Sequence, residues 1–156
     1  DKETKQDPVK RWNLPNRIFF AAGACHILAY TFLMTYPEHN FQAYWIKPGA
    51  GMSGNHIFVS NGRLAFDYDG LKLLPEFLAA VEESMKSHYE NWTYELVMLP
   101  QEVLVSGPLS RQYEGLWLRE PGQFLKDPLP RAKVYMNSII TEDKIRDCQD
   151  SNKLPL

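Results

Sequence analysis

The chain is poor in the features that mark a disulfide scaffold, a metal protein or a nucleic-acid binder. It holds two cysteines, Cys25 and Cys148, in 156 residues, too few for a framework of bridges and not spaced as a C-x-x-C ligand pair. They are expected as free thiols, or at most as one long-range bridge. Neither sign of charge is in excess, because 17 basic residues stand against 19 acidic ones, so no positive field exists to hold a phosphate backbone. Nucleic acid is therefore not an expected partner. Gly49, Gly51 and Gly54 are not followed by Gly-Lys-Ser/Thr, so they make no phosphate loop and are expected to form a flexible flap beside His56. No signal peptide is evident, and Asp1 in place of methionine points to a processed chain or an excised domain.

Long hydrophobic runs are scarce as well. The one from Ile18 to Met34 only touches the lower limit of about 17 residues for a spanning helix. Cys25, His26 and Thr31 lie near its middle, where an ionisable side chain is costly in a bilayer, so no membrane partner is expected. A central helix that other elements cover on nearly every side accounts for the run, with Gly23 separating it from an entry segment.

What is present suffices for one packed core, since 44% of the residues are apolar and no repeat, low-complexity tract or linker interrupts them. Residues 1–16, charged and broken by Pro8 and Pro15, are expected as a loose lead-in. Residues 17–140 read as a single α+β domain, and residues 141–156 as an exposed polar tail. Within the domain, Ala24 to Tyr36 reads as a helix and Phe41 to Pro48 as a strand. Pro75 to Glu90 reads as an amphipathic helix, and Trp92 to Leu99 as a strand ended by Pro100. Asp127 caps an expected helix over 128–140. The stretch from Gln101 to Leu118 carries no decisive signal.

The strongest local signal is Asn61-Gly62 between two β-rich runs, the sequence of a two-residue type I′ hairpin turn. With those two residues as the loop, Val59 faces Leu64, Phe58 faces Ala65, Ile57 faces Phe66, and His56 faces Asp67. A carboxylate opposite an imidazole on one sheet face lies within reach of its N–H, leaving the second ring nitrogen for another group. Cys25 stands at the expected start of the central helix, where the dipole and unpaired backbone N–H groups favour a thiolate. Cys25, His56 and Asp67 thus supply a nucleophile, a base and an orienting carboxylate. Asp69 is the reserve carboxylate if the hairpin carries a bulge. His26, rotated about 100° from Cys25 on the helix, is expected as a core or rim residue. His39 and His88 are expected at the surface, and Trp45, Trp92 and Trp117 as core or cleft walls.

The segments GACHILAYTFL and GNHIFVSNGRLAFDYDG together resemble the papain-like superfamily in its broad sense, and more narrowly the transglutaminase-like and small bacterial papain-fold domains. The chain order Cys, His, Asp matches over residues 20–70, about a third of the chain. The resemblance implies a helix carrying the Cys packed on an antiparallel sheet, with Cys25 as nucleophile, His56 as base and acid, and Asp67 as orienter. It implies neither metal nor organic cofactor. The glutamine that papain-type peptidases place ahead of the Cys is absent, the nearby upstream polar residues being Asn13, Asn16 and Arg17. The expected activity is a cysteine-dependent hydrolase or acyl transferase acting on a protein or peptide amide. Small bacterial members act as deamidase, transglutaminase or protease effectors and toxins, which implies a bacterial cytoplasmic or delivered protein with a cognate inhibitor. The alternative is a non-catalytic binding or immunity module of the same fold, with Cys25 buried away from His56.

Overall fold

A single glycine divides the long apolar run. Gly23 adopts φ +142°, a backbone conformation that L side chains rarely take, and there the chain turns between helix α3, Asn16–Ala21, and helix α4, Cys25–Thr35. Neither piece approaches membrane length, and no helix among the described residues is long and apolar enough to cross a bilayer. The structure, a computed structural model, describes residues 2–150.

Five strands form one open antiparallel sheet: β1 Gln42–Pro48, β2 His56–Ser60, β3 Leu64–Asp67, β4 Gly70–Leu73 and β5 Tyr94–Leu99, in the order β4-β3-β2-β1-β5. Alternation along the strands splits the core in two. Ile57, Val59, Leu64 and Phe66 face α4, where Phe32 stacks on Phe66 at 4.7 Å between ring centroids. Ile46, Phe58 and Ala65 face the other way, towards Phe77 of helix α5, Leu74–Lys86. The fold is thus α+β, with a sheet covered by helices on both faces. As the sequence implies, α4 is buried on most sides, with Met34 its exposed large side chain. Asp127 caps helix α7, Pro128–Ile139, by accepting from the Leu129 N–H at 3.0 Å.

The hairpin differs from its expected register by two residues. Val59 pairs with Phe66 and Ser60 with Ala65, so the two loop residues are Gly62 and Arg63. The cause is the Asn61 side chain, whose Oδ1 accepts from the N–H groups of Arg63 and Leu64 and closes the turn one position later. Only Gly62, at φ +93°, then needs the left-handed region. Because the displacement is even, every side chain keeps its expected face.

Both termini are more ordered than composition suggests. The expected loose lead-in contains helices α1, Lys2–Gln6, and α2, Pro8–Trp12, and Trp12 and Leu14 pack on the core. Arg131 of α7 holds it, donating to the carbonyls of Trp12 and Leu14 and to Asn16 Oδ1, with its guanidinium 3.9 Å from the centroid of Phe19. The expected exposed tail instead forms helix α8, Glu142–Gln149, capped by Thr141, which buries Ile145 and Cys148 in the main core. Residues 151–156 of that tail lie outside the described part. The stretch without a decisive signal becomes a 3₁₀ turn, Gln101–Val105, and helix α6, Gly107–Ser110. The glycine-rich segment is tied down rather than a free flap. Trp92 Nε1 donates to the Ser53 carbonyl at 2.8 Å, Ser53 Oγ bonds the Tyr89 hydroxyl at 2.9 Å, and Gly54 sits so close to Met85 and Trp92 that a Cβ there would collide.

Candidate active site

Cys25 is the first residue of α4, preceded by Ala24, which has no side-chain oxygen to cap the helix. The Ile27 N–H closes on the Ala24 carbonyl at 3.1 Å, which leaves the backbone N–H groups of Cys25 and His26 open beside the thiol. His56 opens β2 and shares a face with Phe58, both rings packing against Phe77 of α5. Cys25 approaches from the opposite layer. The two meet beyond the strand end, at the mouth of the sheet.

His56 Nε2 lies 2.9 Å from Asp67 Oδ2 and donates to it, so Nδ1 is the nitrogen left for the thiol. Asp67 is buried at 8% exposure, and its second oxygen accepts the Asp69 N–H at 2.9 Å, which fixes the carboxylate. Burial opposes charge on Cys25, yet hydrogen bonding from His26 and His56 outweighs it and lowers the thiol to about 5. His56 is likewise penalised by burial, but hydrogen bonds to Asp67 and Cys25 raise it to about 10. At neutral pH the site therefore holds a thiolate beside an imidazolium.

The structure thus brings Cys25, His56 and Asp67 together, although the expected direct facing of His56 and Asp67 does not occur. They are diagonal neighbours on one face, a distance the two side chains span. Asp69, the reserve carboxylate, is drawn away by Arg17 at 2.8 Å and by Lys72. Its carboxyl is held below its usual range by the Lys72 hydrogen bond, then by Arg17, against burial. Arg17 is thereby committed to Asp69, and Asn16 to Arg131. Cys25 and Cys148 are both free thiols, and Cys148 is buried in the core with its pKa raised by that burial.

Two residues stand nearer the chemistry than their sequence positions suggest. His26, only 3% exposed, helps to lower the neighbouring thiol and donates from Nε2 to the Arg119 carbonyl at 2.8 Å. It is a buried neighbour of the Cys25 thiol, which helical rotation alone does not reveal. Asn55, directly before His56, lines the cavities on both sides of the thiol–imidazole pair. Trp45 Nε1 bonds its side-chain oxygen at 2.8 Å. An indole N–H only donates, so the oxygen must face Trp45 and the amide NH₂ is turned away from it as a donor. The signal available in the sequence was its position between a glycine-rich loop and the histidine.

A cavity of about 520 Å³ opens at Cys25 and His26, walled by Gly23, Asn55, Trp117 and Arg119. A second, of about 340 Å³, lies on the other side, against His56, Asp67, Asp69 and Phe77. Trp45 and Trp92 are core residues, whereas Trp117 is 75% exposed and stands on the rim. His88 is exposed as expected, but the side chain of His39 is buried and faces Glu142 at 3.4 Å. Among the described residues, Glu38, His39 and Glu142 are the group whose ligand atoms approach closely enough to hold a metal ion, within 4.8 Å. They line no cavity with Cys25.

Comparison with protein-family models, with curated proteins and with solved structures finds no match, so the residues and their geometry carry the functional reading.

Proposed function

We propose that the protein is a cysteine-dependent hydrolase or acyl transferase of papain-like type that acts on an amide, either a peptide bond or a glutamine side chain. The observation that carries this reading is the Cys25–His56–Asp67 chain of interactions. Asp67 occupies Nε2 of His56 at 2.9 Å while Cys25 takes the other side of the ring, with its thiol at about 5.

In the proposed mechanism the Cys25 thiolate attacks the amide carbonyl carbon, and the electron pair of the C=O bond moves to oxygen. The Asn55 NH₂ and the open N–H groups at the start of α4 receive that oxyanion. Collapse of the adduct breaks the C–N bond, and the imidazolium of His56 hands its proton to the departing nitrogen. A thioester remains on Cys25. Water or a primary amine then attacks it, His56 takes the incoming proton, and the acid or new amide leaves with the thiolate restored. Asp67 acts as a positioning residue, keeping the ring aligned and its cation stabilised.

The test uses the purified protein and its Cys25→Ser variant with an unstructured protein substrate such as dimethylated casein, with and without dansylcadaverine. Mass spectrometry reads chain cleavage, conversion of glutamine to glutamate, and dansyl incorporation. Any of these products formed by the native chain and lost in Cys25→Ser supports the reading and identifies the reaction. Absence of all three, with a Cys25 that alkylates only at the pH of an ordinary thiol, overturns it in favour of a binding module.

A further inference from the structure

Arg119 is an arginine with an unanswered charge. It is half-buried beside the nucleophile, its carbonyl accepting from His26 at 2.8 Å and its guanidinium lying 5.7 Å from the centroid of the Phe124 ring. Among the described residues no carboxylate pairs with it. Glu120, next in the chain, is engaged by the Gly107 N–H at 2.7 Å. The Arg119 pKa is lowered by burial and then by Arg11, a second cation. A half-desolvated guanidinium without an anion is costly unless a ligand supplies one.

The linings of the cavities on the two sides of the thiol and the imidazole differ in charge. No residue lining the Cys25 cavity is acidic, and Trp117 at its rim lies under the guanidinium of Arg111, 5.8 Å from the ring centroid. The cavity beyond His56 is mixed in charge, with Asp67, Asp69 and Lys72 in its wall. The first side, with a guanidinium and no carboxylate in its lining, is the better seat for a carboxylate. The loop that bears Arg119 is also fixed in place. Gln123 Oε1 accepts the Glu120 N–H at 2.8 Å, and His26 anchors the Arg119 backbone, so the guanidinium is presented from a defined position.

We propose that the Cys25 cavity selects substrates carrying a carboxylate close to the reacting carbonyl, and that Arg119, on the Trp117 side, is the specificity residue that binds it. This rests on the reading of Cys25 as an activated nucleophile. The carboxylate comes from a chain terminus or from an acidic side chain, and the experiment separates the two.

The probe pair is iodoacetate and iodoacetamide, which differ in one group. In both, the Cys25 thiolate forms an S–C bond as the C–I bond breaks and iodide leaves. The readout is the ratio of the two alkylation rates within each protein, followed by mass spectrometry in the native chain and in Arg119→Met, Arg119→Gln and Arg119→Lys, with thermal melting to confirm folding. The ratio is expected to fall about fivefold in the two neutral variants, as a partly screened ion pair would give, and to stay near the native value in Arg119→Lys. An unchanged ratio in folded Arg119→Gln overturns the proposal while leaving the thiolate reading intact. An alkylation midpoint near 9.0 in the native chain, with both reagents, overturns the thiolate reading itself, and this proposal with it. Protection against iodoacetamide then assigns the source. N-acetylglutamine, whose carboxylate is terminal, protects if the ligand is a chain end. N-acetylglutamate α-amide protects if it is an acidic side chain. Protection by neither compound, or protection undiminished in Arg119→Gln, overturns the proposal.

Discussion

Replacing His56 by alanine removes one of two histidines that hold the Cys25 thiol down, and the pH profile of alkylation measures its share. With the thiol at about 5 rather than 9.0, thiolate is nearly complete at neutral pH. At about pH 6 the thiolate fraction exceeds that of an ordinary thiol by roughly three powers of ten. A thiolate of lower basicity is also a weaker nucleophile, and a Brønsted coefficient of about 0.45 over a shift of four units removes nearly two of those powers. The native protein should therefore alkylate with iodoacetamide about ten to twenty times faster than a free thiol near pH 6. Near neutrality it should show little advantage, which makes the midpoint more telling than any single rate. Stopped aliquots analysed by mass spectrometry across the pH range should give a native midpoint near 5 and a plateau above it. In His56→Ala the midpoint moves up by the share that His56 holds, and in the double variant with His26→Ala it rises above 9.0, because burial then acts on the thiol unopposed. A native midpoint near 9.0, or one indifferent to both substitutions, would refute the ion-pair argument.

The same pair governs stability. The lowered Cys25 contributes fully above 9.0 and is lost as pH falls through about 5, whereas the raised His56 contributes fully below 6.5 and is lost as pH rises through about 10. The difference in unfolding free energy between the native chain and the double variant Cys25→Ala/His56→Ala should therefore be level from about pH 6.5 to 9 and shrink on both sides; a difference that rises steadily through that window contradicts the assignment. Asp67→Asn should cost amide turnover at least about tenfold and lower the His56 titration seen by NMR, while Asp69→Asn changes either far less; equal effects would remove Asp67 from its positioning role. Asn55→Asp keeps the acceptor for Trp45 but removes the donor, so melting should be nearly unchanged and kcat should fall about a hundredfold, an effect absent if Asn55 merely anchors Trp45. Ile145→Ala should destabilise by about 2–4 kcal/mol in a denaturant titration, and a change below about 0.5 kcal/mol would mean that α8 is not part of the core.

How much of the fold and of the site is legible in the amino-acid sequence depends on how local each signal is. The start of α4 follows from small residues around Gly23, and the hairpin from Asn61-Gly62, because both act within a few residues. The register departs from expectation because the Asn61 side chain closes the turn on its own main chain, and that choice is decided by hydrogen bonds to Arg63 and Leu64 rather than by residue type. Asp67 nonetheless meets His56, since an even slip preserves the face. The terminal helices, Asn55 and Arg119 are not legible in this way. Their roles depend on partners far along the chain: Arg131 for the lead-in, the core for Ile145, Trp45 for Asn55, and His26 for Arg119. Composition marks the C-terminal stretch as polar, and so α8 is on the face turned away from Ile145 and Cys148.

The hydroxyl of Tyr135 in α7 donates to the carbonyl of Tyr68 at 2.6 Å, gripping the turn directly after Asp67. In a chain made from its N-terminus, α4 and the β1–β4 meander emerge long before that hydroxyl does. At the roughly 5–20 residues per second of synthesis, several seconds separate the nucleophile from the last brace of its support. The Cys25 site is thus made early and braced late, so that a nascent or truncated chain carries Cys25 and the hairpin before the Tyr135 hydroxyl holds the turn after Asp67.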